Sequence, residues 1–283
     1  MAIKIVTDSS ITIEPELIEA LDITVVPLSV TIDDVLYSDQ DLDLDAFMAK
    51  MADSKILPKT SQPPVGVFAE VYENIAGADD DIISIHMTES LSGTVEAARQ
   101  GSLLSNRKVT VLDSDFTDQA LKFQVIAAAR LAAEGADKDA ILKEIDKVRK
   151  NTELFIGFST LENLVKGGRV SRVQGLLGSL LNVRVVGTLK DRQIDTLLRG
   201  RGNKTFSKWL EGKVSEIKAS GRKIKAVGIS HADGMDFSLK IKEALQGLAE
   251  APISLMKTNK TIATHTGPGA WAVMIQFDED TTS

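Results

Sequence analysis

The chain has no cysteine among its 283 residues, which excludes disulfides and thiolate metal sites and fits a reducing compartment. Aromatic residues are 5% of the chain and histidines number three, so a histidine that falls among polar residues stands out. No apolar run approaches bilayer-spanning length, and Met1 leads straight into strand-like residues 3–6 instead of a signal peptide. A cytoplasmic protein with no stable membrane insertion is the expectation.

Cofactor signatures are missing as well. No Gly-x-x-x-x-Gly-Lys spacing exists, and Ser92 has Ser90 two residues before it where a nucleophile elbow needs glycine. Gly267-Pro268-Gly269-Ala270-Trp271-Ala272 matches Gly-x-Gly-x-x-Ala, but proline fills the first variable position and a strand-like run follows, so a dinucleotide site is discounted. Asp39, Asp41, Asp43 and Asp45 alternate as in a calcium loop, yet the loop glycine is absent and Lys50 stands where the bidentate glutamate belongs. No metal and no cofactor are expected, and the aspartates read better as a solvated loop and helix cap.

The composition, 43% hydrophobic and 26% charged, is that of an ordinary globular protein, and its net charge of -7 argues against nucleic-acid binding. The charge is uneven: residues 1–54 hold 12 acidic and 2 basic side chains, whereas residues 165–205 hold 9 basic and 2 acidic. A basic segment on an acidic protein is either a solvated face or a docking patch for an anion.

The length suits about two domains. Strand-like and helix-like segments alternate to about residue 150, which predicts a parallel sheet flanked by helices. Residues 151–283 mix a hairpin about Lys190-Asp191-Arg192 with longer helices, which predicts a second, α+β domain. The apolar segment 176–181 belongs to it. The fold class is α/β, divided 1–150 and 151–283.

Polar chemistry gathers at five places. Thr7-Asp8-Ser9-Ser10 ends the first strand, where open α/β sheets bind ligands. Thr60-Ser61-Gln62-Pro63 precedes a helix, which Thr60 or Ser61 would cap. A strand empties into Ser90-Leu91-Ser92-Gly93-Thr94 and a helix follows, so free backbone N–H groups, a positive dipole end and hydroxyls converge on one oxyanion-sized spot. Paired glycines close a short helix at Gly167-Gly168-Arg169. Finally, Thr264-His265-Thr266 stands directly before the Gly267-Pro268-Gly269 turn and the buried strand of residues 271–277. His265 is either a satisfied core histidine or a site residue, and His231, at a strand end, reads as structural.

Taken in order, these five motifs resemble the DegV family of bacterial fatty-acid-binding proteins over essentially the whole chain. The resemblance implies a lipid in the crevice between the two domains. Thr60, Ser61, Ser92, Gly93, His265 and Thr266 would hold its carboxylate, a role that hydroxyls, helix-end amides and an imidazole suit chemically. It further implies a carrier with no chemistry of its own, which presents a long-chain fatty acid to the catalytic subunit of a fatty acid kinase. The acyl phosphate would then pass to an acyltransferase in phospholipid synthesis. Arg169, Arg172, Arg199, Arg201 and Lys204 would meet that kinase or its ATP. The competing reading is an acyltransferase or hydrolase that uses His265 with Ser92 or Ser61 in the same pocket.

Overall fold

The computed structural model describes residues 2–39, 41–175 and 183–279. Segment 176–181, read above as apolar, lies outside the described residues.

Four strands rich in isoleucine and valine form a wholly parallel sheet in the order Ile23–Val26, Ile3–Asp8, Asp81–His86, Lys108–Asp113. Every residue of Asp81–His86 is buried, as expected of a strand covered on both faces. Helices Val65–Ile75 and Thr94–Leu104 cover one face through Phe68, Tyr72, Ala97 and Ala98. They approach so closely that a Cβ at Gly101 would lie 2.5 Å from the Phe68 Cβ.

Helix Asp118–Ala133 covers the other face and is shared with the next layer. Leu121, Val125, Ala128 and Ala129 pack toward the parallel sheet, while Ala120 and Phe123 join the core beneath a second sheet. That sheet has seven strands, ordered Ser254–Lys257, Ile224–Ala232, Ala270–Phe277, Thr152–Phe158, Arg184–Lys190, Gln193–Gly200, Val173–Gln174. Its pairings are antiparallel except at the two edges. Trp271, on the fully buried strand Ala270–Phe277, meets Phe206 edge-on and Trp209 and Phe237 at a tilt, on the outer helices Lys204–Ser220 and Met235–Leu245. The predicted hairpin is present, and Asp191 and Arg192 both take positive φ, as a two-residue type I′ turn requires.

A three-stranded antiparallel sheet, Val35–Ser38, Ser29–Ile32 and Lys59–Ser61, packs Val30 and Ile32 against Ala263 and Ala270 near the carboxyl end. Here the structure corrects the expectations for two polar motifs and places a third on a helix. Thr60 and Ser61 cap no helix: they lie in an edge strand, with Thr60 opposite Val30 and Ser61 opposite Ser29, and the N-cap of the following helix Val65–Ile75 is Pro64, with no side-chain capping bond. Thr264, His265 and Thr266 belong to helix Lys260–Thr266, whose Asn259 side chain accepts from the Ile262 N–H. Thr7 and Asp8 are inside the first strand, and the Thr7-Asp8-Ser9-Ser10 motif is buried throughout.

Candidate functional site

The Lys260–Thr266 helix, the Lys59–Ser61 strand and the turn before helix Thr94–Leu104 meet around a cleft of about 360 Å³. Part of its lining is apolar: Leu91, Ile156, Phe158, Leu164 and Ile194 line it and belong to one hydrophobic core cluster. The rest of the cleft's lining is largely polar. All six residues predicted to hold an anion, Thr60, Ser61, Ser92, Gly93, His265 and Thr266, line it, and Arg169 lies beside them.

Local rules explain each placement. Helix Glu162–Lys166 closes in a Schellman arrangement: the Arg169 N–H donates to the Leu164 carbonyl at 2.9 Å, the Gly168 N–H donates to that of Val165 at 3.1 Å, and Gly168 has φ 73°. That reversal delivers Arg169 to the cleft, where its Nη1 donates to the Gly167 carbonyl at 2.8 Å. The Asn163 Nδ2 donates to the Thr264 carbonyl at 2.9 Å and so fastens this helix to the one that carries His265.

His265 Nε2 lies 2.8 Å from Thr60 Oγ1, joining residues 205 positions apart. Its Nδ1 faces Gly167, where a Cβ would approach to 2.5 Å; only glycine leaves the ring room. Burial and, after it, the neighbouring Arg169 pull the His265 pKa from 6.5 down to about 4, so the ring is neutral near pH 7. A neutral imidazole offers one donor and one acceptor. Across the cleft, Ser92 Oγ lies 2.8 Å from Thr94 Oγ1, and Gly93 opens helix Thr94–Leu104 with no side-chain capping bond. First-turn amides at such a terminus suit an anion.

Three polar atoms on residues of this wall are buried without a hydrogen-bond partner among the described residues: His265 Nδ1, Thr266 Oγ1 and Thr117 Oγ1. Buried polar groups are ordinarily paired, so a polar ligand in the cleft could supply bonds that these residues lack. Thr117 escaped the sequence reading. It directly precedes helix Asp118–Ala133 without capping it, a pattern the sequence cannot distinguish from an ordinary N-cap.

Other predicted residues are elsewhere. Arg199, Arg201 and Lys204 are exposed at the end of strand Gln193–Gly200 and the start of helix Lys204–Ser220, and none lines the cleft. Arg172 ends the 3-10 turn Val170–Arg172. The Thr7-Asp8-Ser9-Ser10 motif, expected to face a ligand, is engaged internally: Ser9 Oγ donates to Asp39 Oδ2 at 2.9 Å, and Asp8 accepts from the Ser10 and Met87 N–H groups.

The competing enzyme reading needs Ser92 or Ser61 on His265, but among the described residues the hydroxyl on His265 Nε2 belongs to Thr60 and Nδ1 has no hydrogen-bond partner. A Ser-His-Asp chain does exist deeper in the parallel sheet. Ser84 Oγ lies 2.7 Å from His86 Nε2, and His86 Nδ1 lies 3.0 Å from Asp8 Oδ2. All three residues are fully shut from solvent, and Tyr72 OH closes the chain on Ser84, so the set bridges strands Ile3–Asp8 and Asp81–His86. Burial alone would raise the Asp8 pKa, but the bonds from His86, Ser10 and Met87 hold it below its ordinary value. Among the described residues no carboxylate and histidine group could hold a metal, and no helix is long and apolar enough to cross a membrane.

A family model described as "Uncharacterised protein, DegV family" matches residues 2–278. The chain is 71% identical over 278 residues to the DegV domain-containing protein YejH of Lactococcus lactis, an alignment that covers 98% of this chain and 100% of that relative. Its fold is similar to a fatty-acid-binding DegV family protein from Thermus thermophilus, with TM-score 0.88 and 30% identity over 98% of this chain and 100% of the other. It is likewise similar to DegV, a fatty acid binding protein from Bacillus subtilis, with TM-score 0.87, 29% identity and the same coverage.

Proposed function

The chain belongs to the DegV family, and on that premise we propose that it binds a long-chain fatty acid in the cleft described above. The observation that carries this reading is one cleft lined both by apolar side chains of a core cluster and by polar residues, three of which hold buried polar atoms without a partner among the described residues. Thr60, Ser61, Ser92, Gly93, His265 and Thr266 hold the carboxylate, with Thr117 added to the set. Residues 1–150 and 151–283 act as the two domains, with the lipid between them. Burying about fourteen methylenes at ~0.8 kcal/mol each gives roughly 11 kcal/mol gross, enough for tight binding after the costs of association.

In this reading the protein is a carrier. It presents the carboxylate to the catalytic subunit of a fatty acid kinase, and the acyl phosphate passes to an acyltransferase of phospholipid synthesis. Arg169, Arg172, Arg199, Arg201 and Lys204 form the basic docking face. Supporting this assignment, the basic stretch is set on an otherwise acidic protein, and Arg169 lines the cleft.

Titration with hexadecanoate and hexadecanol tests the headgroup assignment. His265→Ala is expected to weaken hexadecanoate about tenfold, the scale of one lost hydrogen bond to a charged group, and to leave hexadecanol unchanged. An equal loss for both ligands, or for neither, would refute the carboxylate role. For docking, a charge reversal at Arg199 and Arg201 should lower kinase-coupled acyl phosphate formation while hexadecanoate affinity stays at the wild-type value. Unchanged turnover would remove these residues from the docking face.

A further inference from the structure

Arg192 stands at the tip of the hairpin that joins Arg184–Lys190 to Gln193–Gly200, held at φ 62° by its two-residue turn. It is not part of the cleft wall, yet its guanidinium gathers three carboxylates from residues 89–115. Nη1 donates to Glu89 Oε1 at 2.7 Å, and Nε donates to Asp115 Oδ1 at 2.7 Å and lies 3.6 Å from Asp113 Oδ2. Two of these acids build the turn that brings Leu91, Ser92 and Gly93 to the cleft. Asp113 Oδ2 accepts from the Glu89 N–H at 3.1 Å, and the Leu91 and Ser92 N–H groups then donate to the Thr88 carbonyl at 3.1 and 3.3 Å. Glu89 extends the chain of bonds, since its Oε2 accepts at 2.9 Å from Arg99 Nη1 on helix Thr94–Leu104, which Gly93 opens.

The turn is therefore tied to the hairpin on one side and to its own helix on the other. Against the cleft it has little room to shift, because a Cβ on Gly93 would come within 2.0 Å of Gln62 Oε1. The same tie joins two elements that both supply the cleft wall: Leu91 lies two residues after Glu89, Ile194 two after Arg192, and both pack in one core cluster. An isolated surface ion pair contributes little, but this is a network. Arg99 also serves Glu89 and Arg149 also serves Asp115. Asp113, only 3% exposed, has no other cation than Arg192 within 4 Å among the described residues.

We propose that Arg192 is a positioning residue for the anion site: through Glu89 and Asp113 it fixes the turn that presents the Ser92 hydroxyl and the amides at the start of helix Thr94–Leu104 to the ligand's carboxylate. The proposal rests on the fatty-acid reading and deepens it, by making the headgroup grip depend on a contact outside the cleft. Its signature is a sign. If Arg192 acted only as a nearby positive charge, removing the negative charge of Glu89 would tighten an anionic ligand. If it acts by position, removing Glu89 breaks the tie and weakens that ligand.

Arg192→Gln, Glu89→Gln and the double variant are titrated with hexadecanoate and hexadecanol, with melting curves as the check on folding. Each single variant is expected to weaken hexadecanoate about fivefold and to leave hexadecanol within about twofold, since the alcohol brings no charge to the turn. The double variant should lose no more than about the larger single loss, as two ends of one contact do. Arg192→Lys, which keeps the charge but cannot serve Glu89 and Asp115 as a planar fork, should fall between wild type and Arg192→Gln, and it carries the test should Arg192→Gln fail to fold. Tighter hexadecanoate binding by Glu89→Gln, equal losses for both ligands, or losses that multiply in the double variant would overturn the proposal while leaving the fatty-acid reading intact. Wild type that binds neither ligand would overturn the fatty-acid reading and the proposal with it.

Discussion

Protonation of His265 is suppressed by burial first and by the Arg169 guanidinium second, which together bring its pKa to about 4. An unfolded chain takes a proton at this residue as pH falls through about 6.5. The folded protein resists until about 4, so the stability contributed by the neutral ring is complete above 6.5 and is lost progressively as pH falls to 4. The difference in unfolding free energy between wild type and His265→Gln, measured by urea titration, is expected to move against wild type across that window. A difference independent of pH would show that the ring titrates normally. Gly167 controls the same group by shape. A Cβ there would meet His265 Nδ1 at 2.5 Å and the Asn163 carbonyl at 2.9 Å, so Gly167→Ala must push the ring from Thr60. That substitution should cost about 1–2 kcal/mol of stability and weaken hexadecanoate, and wild-type affinity would contradict it. The sequence offers the chemical types of these residues but not their meeting, because Thr60 and His265 are 205 positions apart and no spacing rule joins them. The five-motif resemblance grouped them; periodicity had no access to Thr117.

Among the elements, helix Asp118–Ala133 joins the two large sheets, and its first turn does so through polar bonds. Asp118, buried and at φ 58°, accepts from Ser230 Oγ at 2.6 Å and from Thr258 Oγ1 at 2.8 Å. Gln119 Nε2 donates to the Ile229 carbonyl at 2.8 Å, and Lys122 Nζ donates to Glu14 and Ser254. Burial pushes the Asp118 pKa up despite the bonds it accepts. Asp118→Leu places a branched side chain at positive φ and strands two buried hydroxyls, which should cost about 3 kcal/mol in urea unfolding. Asp118→Asn tolerates the backbone and keeps an acceptor, so it should cost less than half of that. Equal costs would mean that the polar network contributes nothing. Most elements were legible from alternation and turn residues, the I′ hairpin at Asp191-Arg192 among them. Helix Lys260–Thr266 was not: its threonines and isoleucine are poor helix formers, and burial plus the Asn259 cap override that preference. Strand Lys59–Ser61 was hidden for another reason, since its pairing with Ser29–Ile32 is a tertiary event.

At the scale of the whole molecule, two sheet systems clasp one shared helix, and the cleft opens where the small third sheet and the carboxyl-terminal helix meet the turn before Thr94–Leu104. Under the proposed function, this arrangement would offer a lipid chain the apolar lining and its carboxylate the polar residues of the same cleft. Native mass spectrometry of the purified protein, paired with mass analysis of its organic extract, tests the central claim most directly. The expected result is one long-chain fatty acid per chain, lost on denaturation and recovered in the extract. Folded protein that carries no lipid and takes up no added hexadecanoate would contradict it.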